Sequence, residues 1–160
     1  MHFELETAKL PDIFFDIYGT SVLAKKADPS VAALQKLPNV RLCGKYDGFT
    51  SLPVENYFAF LYTTQCDGLP NVLLEAVAAG LPVVAPDRGG IRDFVTSGTG
   101  WLIPNHTDVL GYVKALQEIQ DQPQEARRRW ECARALLQKR HNMQVFSSSL
   151  SEAYRKKGSV

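Results

Sequence analysis

The stretch from Cys66 to Gly80, CDGLPNVLLEAVAAG, with the ten residues after it, constrains the fold more than any other part of the chain. Pro70 suits the first turn of a helix, where its missing N–H is no loss. Val72, Leu73, Leu74, Ala76, Val77, Ala78 and Ala79 leave almost no polar face, so this helix is expected to be buried on most sides. Gly80 supplies its stop and Pro82 follows. Leu81 to Ala85 then reads as a short buried strand running into a turn at Gly89 and Gly90. A backbone-exposing turn at a strand's carboxyl end is where open α/β sheets bind ligands.

Within the helix, Asn71 and Glu75 stand one above the other, and Asp67 precedes them on roughly the same line. Glu75 is expected to be a lone charge on a mostly buried helix, which is costly unless something hydrogen-bonds it. A carboxylate there can accept from vicinal ribose hydroxyls. The N–H groups of the first turn, near Gly68 to Val72, can receive a phosphate. The plainer alternative has Asp67 capping the helix and Glu75 paired with an internal Arg or Lys. These fifteen residues leave the two readings level, and the Gly-Gly turn shifts the balance towards a ligand site.

The run DGLPNVLLEAVAAGLPVVAPDRGGIRDFV, followed by GTGWLIP, resembles the signature of the retaining group 1 (family 4) glycosyltransferases of the GT-B fold. The likeness is close from Asp67 to Pro104 and extends over the rest by pattern. The family's acidic motif is Glu, seven residues, Glu; here it is Asp67, seven residues, Glu75. The Asp shortens the reach by one methylene. The resemblance implies that Asp67 and Glu75 are the catalytic pair, Asp67 bonding a hydroxyl of the donor sugar and Glu75 accepting from the ribose. It implies that Gly68, Leu69, Pro70 and Asn71 form the turn that offers backbone N–H groups to the diphosphate. Lys45 and Tyr46 fall where the family's backbone meets the base. Gly19 and Thr20 lie near the same cleft or are plain turn residues, and Gly89 and Gly90 are packing and turn positions. The implied donor is a nucleoside-diphosphate sugar, with UDP-sugar as the default, transferred with retention to a glycan or lipid-linked acceptor. No metal or other cofactor is implied, and no Asp-x-Asp pair stands in the sequence to hold a metal.

A leaving diphosphate needs positive charge as the glycosidic bond breaks. In the family an Arg and a Lys that clamp it come just before the segment that opens this sequence, after an N-terminal acceptor domain. Residues 1–160 are therefore expected to be a single donor-binding domain, with the acceptor domain absent and no transfer by these residues alone.

The 160 residues suit one domain with a substantial core. The apolar share of 45% and a net charge of +1 describe an ordinary soluble protein, expected in the cytoplasm. No apolar run is long enough to span a bilayer and no signal-peptide pattern opens the chain, so the sequon at Asn105 carries no meaning. Cys43, Cys66 and Cys132 show no metal spacing, and Cys66 has no basic neighbour that would make it a nucleophile. The charge is uneven: residues 121–160 carry nine Lys/Arg against four Asp/Glu, including Arg155, Lys156 and Lys157. A solvated face explains this best; peripheral contact with an anionic membrane is the second reading. No aromatics interleave with these bases, so nucleic acid is not expected as a partner.

In chain order, strands are expected at Asp12–Tyr18, Asn39–Cys43, Tyr57–Tyr62, Leu81–Ala85 and Gly100–Ile103. Helices are expected after Pro29 or Ser30, near Val54–Asn56, from Ile91 and from Thr107 or Asp108. The last of these carries an apolar stripe of Val109, Leu110, Val113, Leu116 and Ile119. A further helix is marked by Ala126, Trp130, Ala133 and Leu137, and a final one by Met143, Phe146, Leu150 and Tyr154. Alternation of this kind implies an α/β, Rossmann-like three-layer domain: a parallel sheet of about five to six strands with C-terminal helices, the C-terminal half of a GT-B fold. Two other classes compete. A related GT-B sugar-nucleotide enzyme such as an epimerase is disfavoured by the Asp67–Glu75 spacing. A non-enzymatic interaction module of the receiver or flavodoxin type is disfavoured because Tyr18-Gly19-Thr20 and Tyr62-Thr63-Thr64 lack a receiver's acidic residues.

Overall fold

In the computed structural model, which describes Leu10 and residues 12–19, 29–64 and 68–140, the elements alternate along the chain. Strand β1 is Phe15–Tyr18, helix α1 Pro29–Leu34, strand β2 Val40–Gly44 and strand β3 Phe60–Leu61. Helix α2 is Asn71–Ala78, strand β4 Val83–Pro86 and strand β5 Trp101–Ile103; helices α3, Val109–Asp121, and α4, Pro123–Arg140, follow. Single 3-10 turns lie at Phe49–Ser51, Val54–Asn56 and Ile91–Asp93.

β4 is the centre. All four of its residues are buried, and alternate side chains face opposite ways, as a strand requires. Val84 joins Phe15, Trp101 and Ile103 and the α3 residues Tyr112, Val113, Leu116 and Ile119. Val83 and Ala85 join Leu73, Ala76 and Val77 of α2, Ile91 and Phe94, and Ala133 of α4. Helices therefore cover both faces of a parallel sheet, which makes three layers.

The single sheet expected from the sequence is divided. β1 pairs in parallel with β2, while β3, β4 and β5 form a separate parallel ladder. The strand expected at Tyr57–Tyr62 contracts to Phe60–Leu61. Tyr57 ends the 3-10 turn, its N–H bonded to the Val54 carbonyl. Its hydroxyl reaches β1 instead, meeting Asp16 and Tyr18.

α2 stops as the sequence implies. Gly80 takes φ 100°, its N–H bonds Val77 O, and the Leu81 N–H bonds Ala76 O, the paired closure that a left-handed residue after a helix permits. Two expectations are corrected. Pro70 sits one residue before the helix in an extended conformation rather than in its first turn. Burial covers one side only: Leu73, Ala76 and Val77 are buried, whereas Asn71, Glu75 and Ala78 are exposed. Glu75 is thus not a buried charge, because the core touches α2 along a stripe and nothing described covers the opposite face.

In α3 the stripe is rotated from the expected one: Tyr112 is fully buried and Leu110 is 56% exposed. Asp108 caps the helix by accepting from the Gly111 N–H at 3.0 Å. Residues 112, 113, 116 and 119 share the inward face. In α4 the Trp130 indole N–H donates to Val77 O at 2.8 Å and locks that helix onto α2. The helix expected through Met143, Phe146, Leu150 and Tyr154, and the Arg155–Lys157 run, lie outside the described residues.

Candidate functional site

The turn before α2 and the turn after β4 meet. A Cβ placed on Gly90 would lie 3.4 Å from the Leu69 nitrogen and 3.5 Å from the Gly68 carbonyl carbon. The two turns are thus in van der Waals reach of each other at Gly90, and Gly89 makes the bend with φ 51°. Above this contact Gly68 and Asn71 are exposed, and Leu69 and Pro70 half-buried. The start of α2 has no side-chain cap and no acid in its first turn. Its leading N–H groups, which have no carbonyl within the helix, point their partial positive charge outward. One turn further, Glu75 is exposed beside Asn71 and makes no hydrogen bond or ion pair with any described residue. The arrangement offers donors for an anion and, a helical turn away, a carboxylate able to accept from hydroxyls.

A second group sits at the carboxyl ends of β1 and β2. The Gly19 N–H donates to Gly44 O at 2.7 Å, and both glycines have positive φ, 120° and 73°. Lys45 and Tyr46 follow, both exposed. The Tyr46 ring meets the Tyr18 ring edge-on, 5.8 Å between centroids. Beneath them Asp16 and Arg41 are register partners on the two strands, and the Arg41 fork grips both carboxylate oxygens of Asp16. The Arg41 hydrogen bonds, helped by one from Tyr57 and opposed by burial, hold the Asp16 carboxyl below its ordinary value. Burial first, then the bonds to Tyr18 and Asp16, push the Tyr57 phenol up.

Sequence reasoning placed Gly68 to Asn71 and Glu75 in one group and Gly19, Lys45 and Tyr46 in the other, and the structure gathers each group locally. Asp67 and Thr20 lie outside the described residues. The residues missed are Asp16, Arg41, Tyr18 and Tyr57, and their signal was opposite charges inside two otherwise apolar strands. Also missed was Arg88, after β4, whose guanidinium donates to Asn105 Oδ1 at 3.4 Å and His106 Nδ1 at 3.0 Å. Arginine cannot accept, so Nδ1 is the accepting nitrogen and His106 carries its proton on Nε2. Among the described residues no group of three His, Cys, Asp or Glu stands where it could hold a metal ion. None of the described helices is long and apolar enough to cross a membrane.

The family profile for "Glycosyl transferases group 1" matches residues 4–122. A glycogen synthase of Mycobacterium tuberculosis is 32% identical over 83 residues, which cover 52% of this chain and 20% of that protein. A GDP-mannose-dependent alpha-mannosyltransferase of the same species is 46% identical over 46 residues, 28% of this chain and 12% of that protein. Among solved structures, Anabaena HepE in complex with UDP superposes with a TM-score of 0.79 at 18% identity, covering 96% of this chain and 44% of that one. This chain thus matches about a fifth or less of these curated relatives' length and under half of the solved chain. With the profile spanning most of its residues and its layers matching those of a GT-B enzyme, the chain belongs to the group 1 glycosyltransferases.

Proposed function

We propose that this chain is the donor-binding half of a glycosyltransferase and takes a nucleoside-diphosphate sugar at the start of α2. One observation carries the reading: a helix start seated on the Gly90 turn, with no side-chain cap from Pro70 and, one turn further along, an exposed Glu75 that has no partner among the described residues. The first-turn amides take the diphosphate charge, so that no metal is needed for it. Glu75 accepts from the ribose hydroxyls, and Asp67 bonds the donor sugar. The backbone at Lys45 and Tyr46 meets the base, with Gly19 and Thr20 beside it. Transfer proceeds with retention to a glycan or lipid-linked acceptor held by a second domain, and these 160 residues bind donor without turning it over. HepE was solved with UDP, and the mycobacterial relative is named for GDP-mannose; UDP is the first choice here.

The test is ligand-observed NMR on the chain with UDP, GDP and ADP in turn, repeated on Glu75→Ala. One diphosphate should bind, and Glu75→Ala should weaken it by about tenfold or more, the scale of a hydrogen bond to a charged group. Binding that Glu75→Ala leaves unchanged overturns the ribose role. Sugar transfer by the 160 residues alone overturns the division of labour.

A further inference from the structure

We infer that Tyr18 and Tyr57 are positioning residues that hold the Tyr46 ring and the backbone beside it in the geometry that selects the base of the donor. The inference rests on the donor reading above and adds residues outside the set assigned to it. Tyr57 has one hydroxyl proton and gives it to Asp16 Oδ2 at 2.8 Å, because an ionised carboxylate only accepts. The 2.8 Å contact between the Tyr57 and Tyr18 hydroxyls must then run the other way, with Tyr18 donating. The relay has a fixed direction, Tyr18 to Tyr57 to Asp16, and Arg41 closes it by gripping the same carboxylate. The members come from three elements: Tyr18 and Asp16 from β1, Arg41 from β2, Tyr57 from the turn before β3.

The relay ends against a single ring. Tyr18 stands edge-on to Tyr46, 79° between planes, a favoured arrangement of two aromatic rings. The bond from the Gly19 N–H to Gly44 O ties the two strand ends immediately beside it. Tyr46 is 38% exposed, so one side of its ring is packed by the relay and another is open to a ligand. A flat, polar-edged base laid there would meet a ring whose tilt is set from beneath. Among the described residues, none of α2 is hydrogen-bonded to a member of the relay. Removing a relay hydroxyl should therefore change base recognition and spare diphosphate recognition.

The experiment titrates the chain with UDP and with inorganic pyrophosphate, for the wild type, Tyr57→Phe and Tyr18→Phe, with a melting curve of each. Tyr57→Phe should weaken UDP by about three- to tenfold, the range of one neutral hydrogen bond, and leave pyrophosphate within about twofold. Tyr18→Phe should do the same to a smaller degree, since it removes one donor and leaves Tyr57 bonded to Asp16. The Tyr46 ring resonances should shift in both variants before ligand is added. Unchanged UDP affinity in both variants overturns the inference. So does an equal loss for UDP and pyrophosphate that tracks a fall in melting temperature, which is what a purely structural relay would give. A wild type that binds pyrophosphate but shows no preference for UDP over it overturns the base site, and one that binds neither overturns the donor reading itself.

Discussion

The two ladders of this domain are held by different physics. In the β3-β4-β5 ladder, β4 is buried along its whole length and helices press on both faces. In the β1-β2 ladder only Phe15 is buried among the strand residues; beside Phe15's place in the cluster of Val84 and Trp101, the ladder is tied to the turn before β3 by Tyr57 reaching Asp16 and Tyr18. The first ladder carries the turn beneath the proposed phosphate site. The second carries the proposed base site. Apolar packing is short-ranged and insensitive to pH and salt, whereas a partly exposed polar network responds to both. The proposed anion end is therefore built on the packed ladder and the proposed selective end on the polar one.

The largest effect expected from breaking this contrast comes from the packed side. Leu73→Ala should cost about 3 kcal/mol of stability, within the usual range for a large core side chain cut to Ala, because Leu73 is fully buried where α2 meets β4. Urea denaturation measures it, and a loss below about 1 kcal/mol would show that this contact is not the core. Next comes Gly100→Ala. The added Cβ would sit 2.8 Å from the Val83 carbonyl oxygen, 3.0 Å from Val83 Cγ2 and 3.1 Å from Val95 Cγ1. Backbone cannot move aside cheaply, so a loss of about 2 kcal/mol is expected. Denaturation at unchanged slope would confirm it, and a neutral result would mean that β5 can shift away from β4.

The packed ladder was legible in the sequence and the polar one was not, for a physical reason. The run Leu81 to Ala85, bracketed by Gly80 and Gly89-Gly90, announces a buried strand from residues adjacent in sequence. The same holds for the helix start expected at Thr107 or Asp108. Tyr57 to Tyr62 carries an equally apolar run, yet only Phe60–Leu61 forms a strand. Tyr57 instead closes a 3-10 turn and reaches Asp16, 41 residues away, and no local pattern registers that contact. Burial likewise needs the neighbours: Glu75 looked enclosed because its own helix is apolar, but enclosure depends on what packs against each face. Tyr112 outranks Leu110 in the core because it shares a helical face with Val113, Leu116 and Ile119, whereas Leu110 stands opposite Ile119. In the candidate site both turns were legible as turns. Their mutual contact at Gly90 is tertiary and was not.

Asp16→Asn should sharpen the contrast from the polar side. Arg41 is 71% exposed, which discounts the ion pair heavily, while Asp16 is 11% exposed and its bond from Tyr57 is better shielded. A global loss of about 1 kcal/mol is expected. Hydrogen exchange should locate it: amides of β1 and β2 should lose protection while those of β4 keep theirs. Equal loss in both ladders would show that they open as one unit.

The smallest effect is on pH dependence, and its sign follows from two carboxylates. Hydrogen bonds from Arg41 hold the folded-state Asp16 below its ordinary 3.8. Hydrogen bonds from Arg128, then Arg129, hold Glu125 of α4 down from 4.5 to about 2. In each case the unfolded chain binds its proton at a higher pH than the folded one. The stabilisation is therefore complete above the ordinary values and is lost as pH falls through the folded ones. Acidifying from pH 5 towards 2 should lower Tm by this route, and the fall should be shallower in Asp16→Asn and in Glu125→Gln. Glu125 lies on an exposed face, so added salt should shrink its share more than that of Asp16. The two ladders should then separate in acid. Protection of β1 and β2 amides should decline first, because Asp16 joins those strands, while β4 owes nothing to a carboxylate and should hold until the whole domain opens. Loss of β4 protection ahead of β1 would invert the order expected of the packed and the polar ladder.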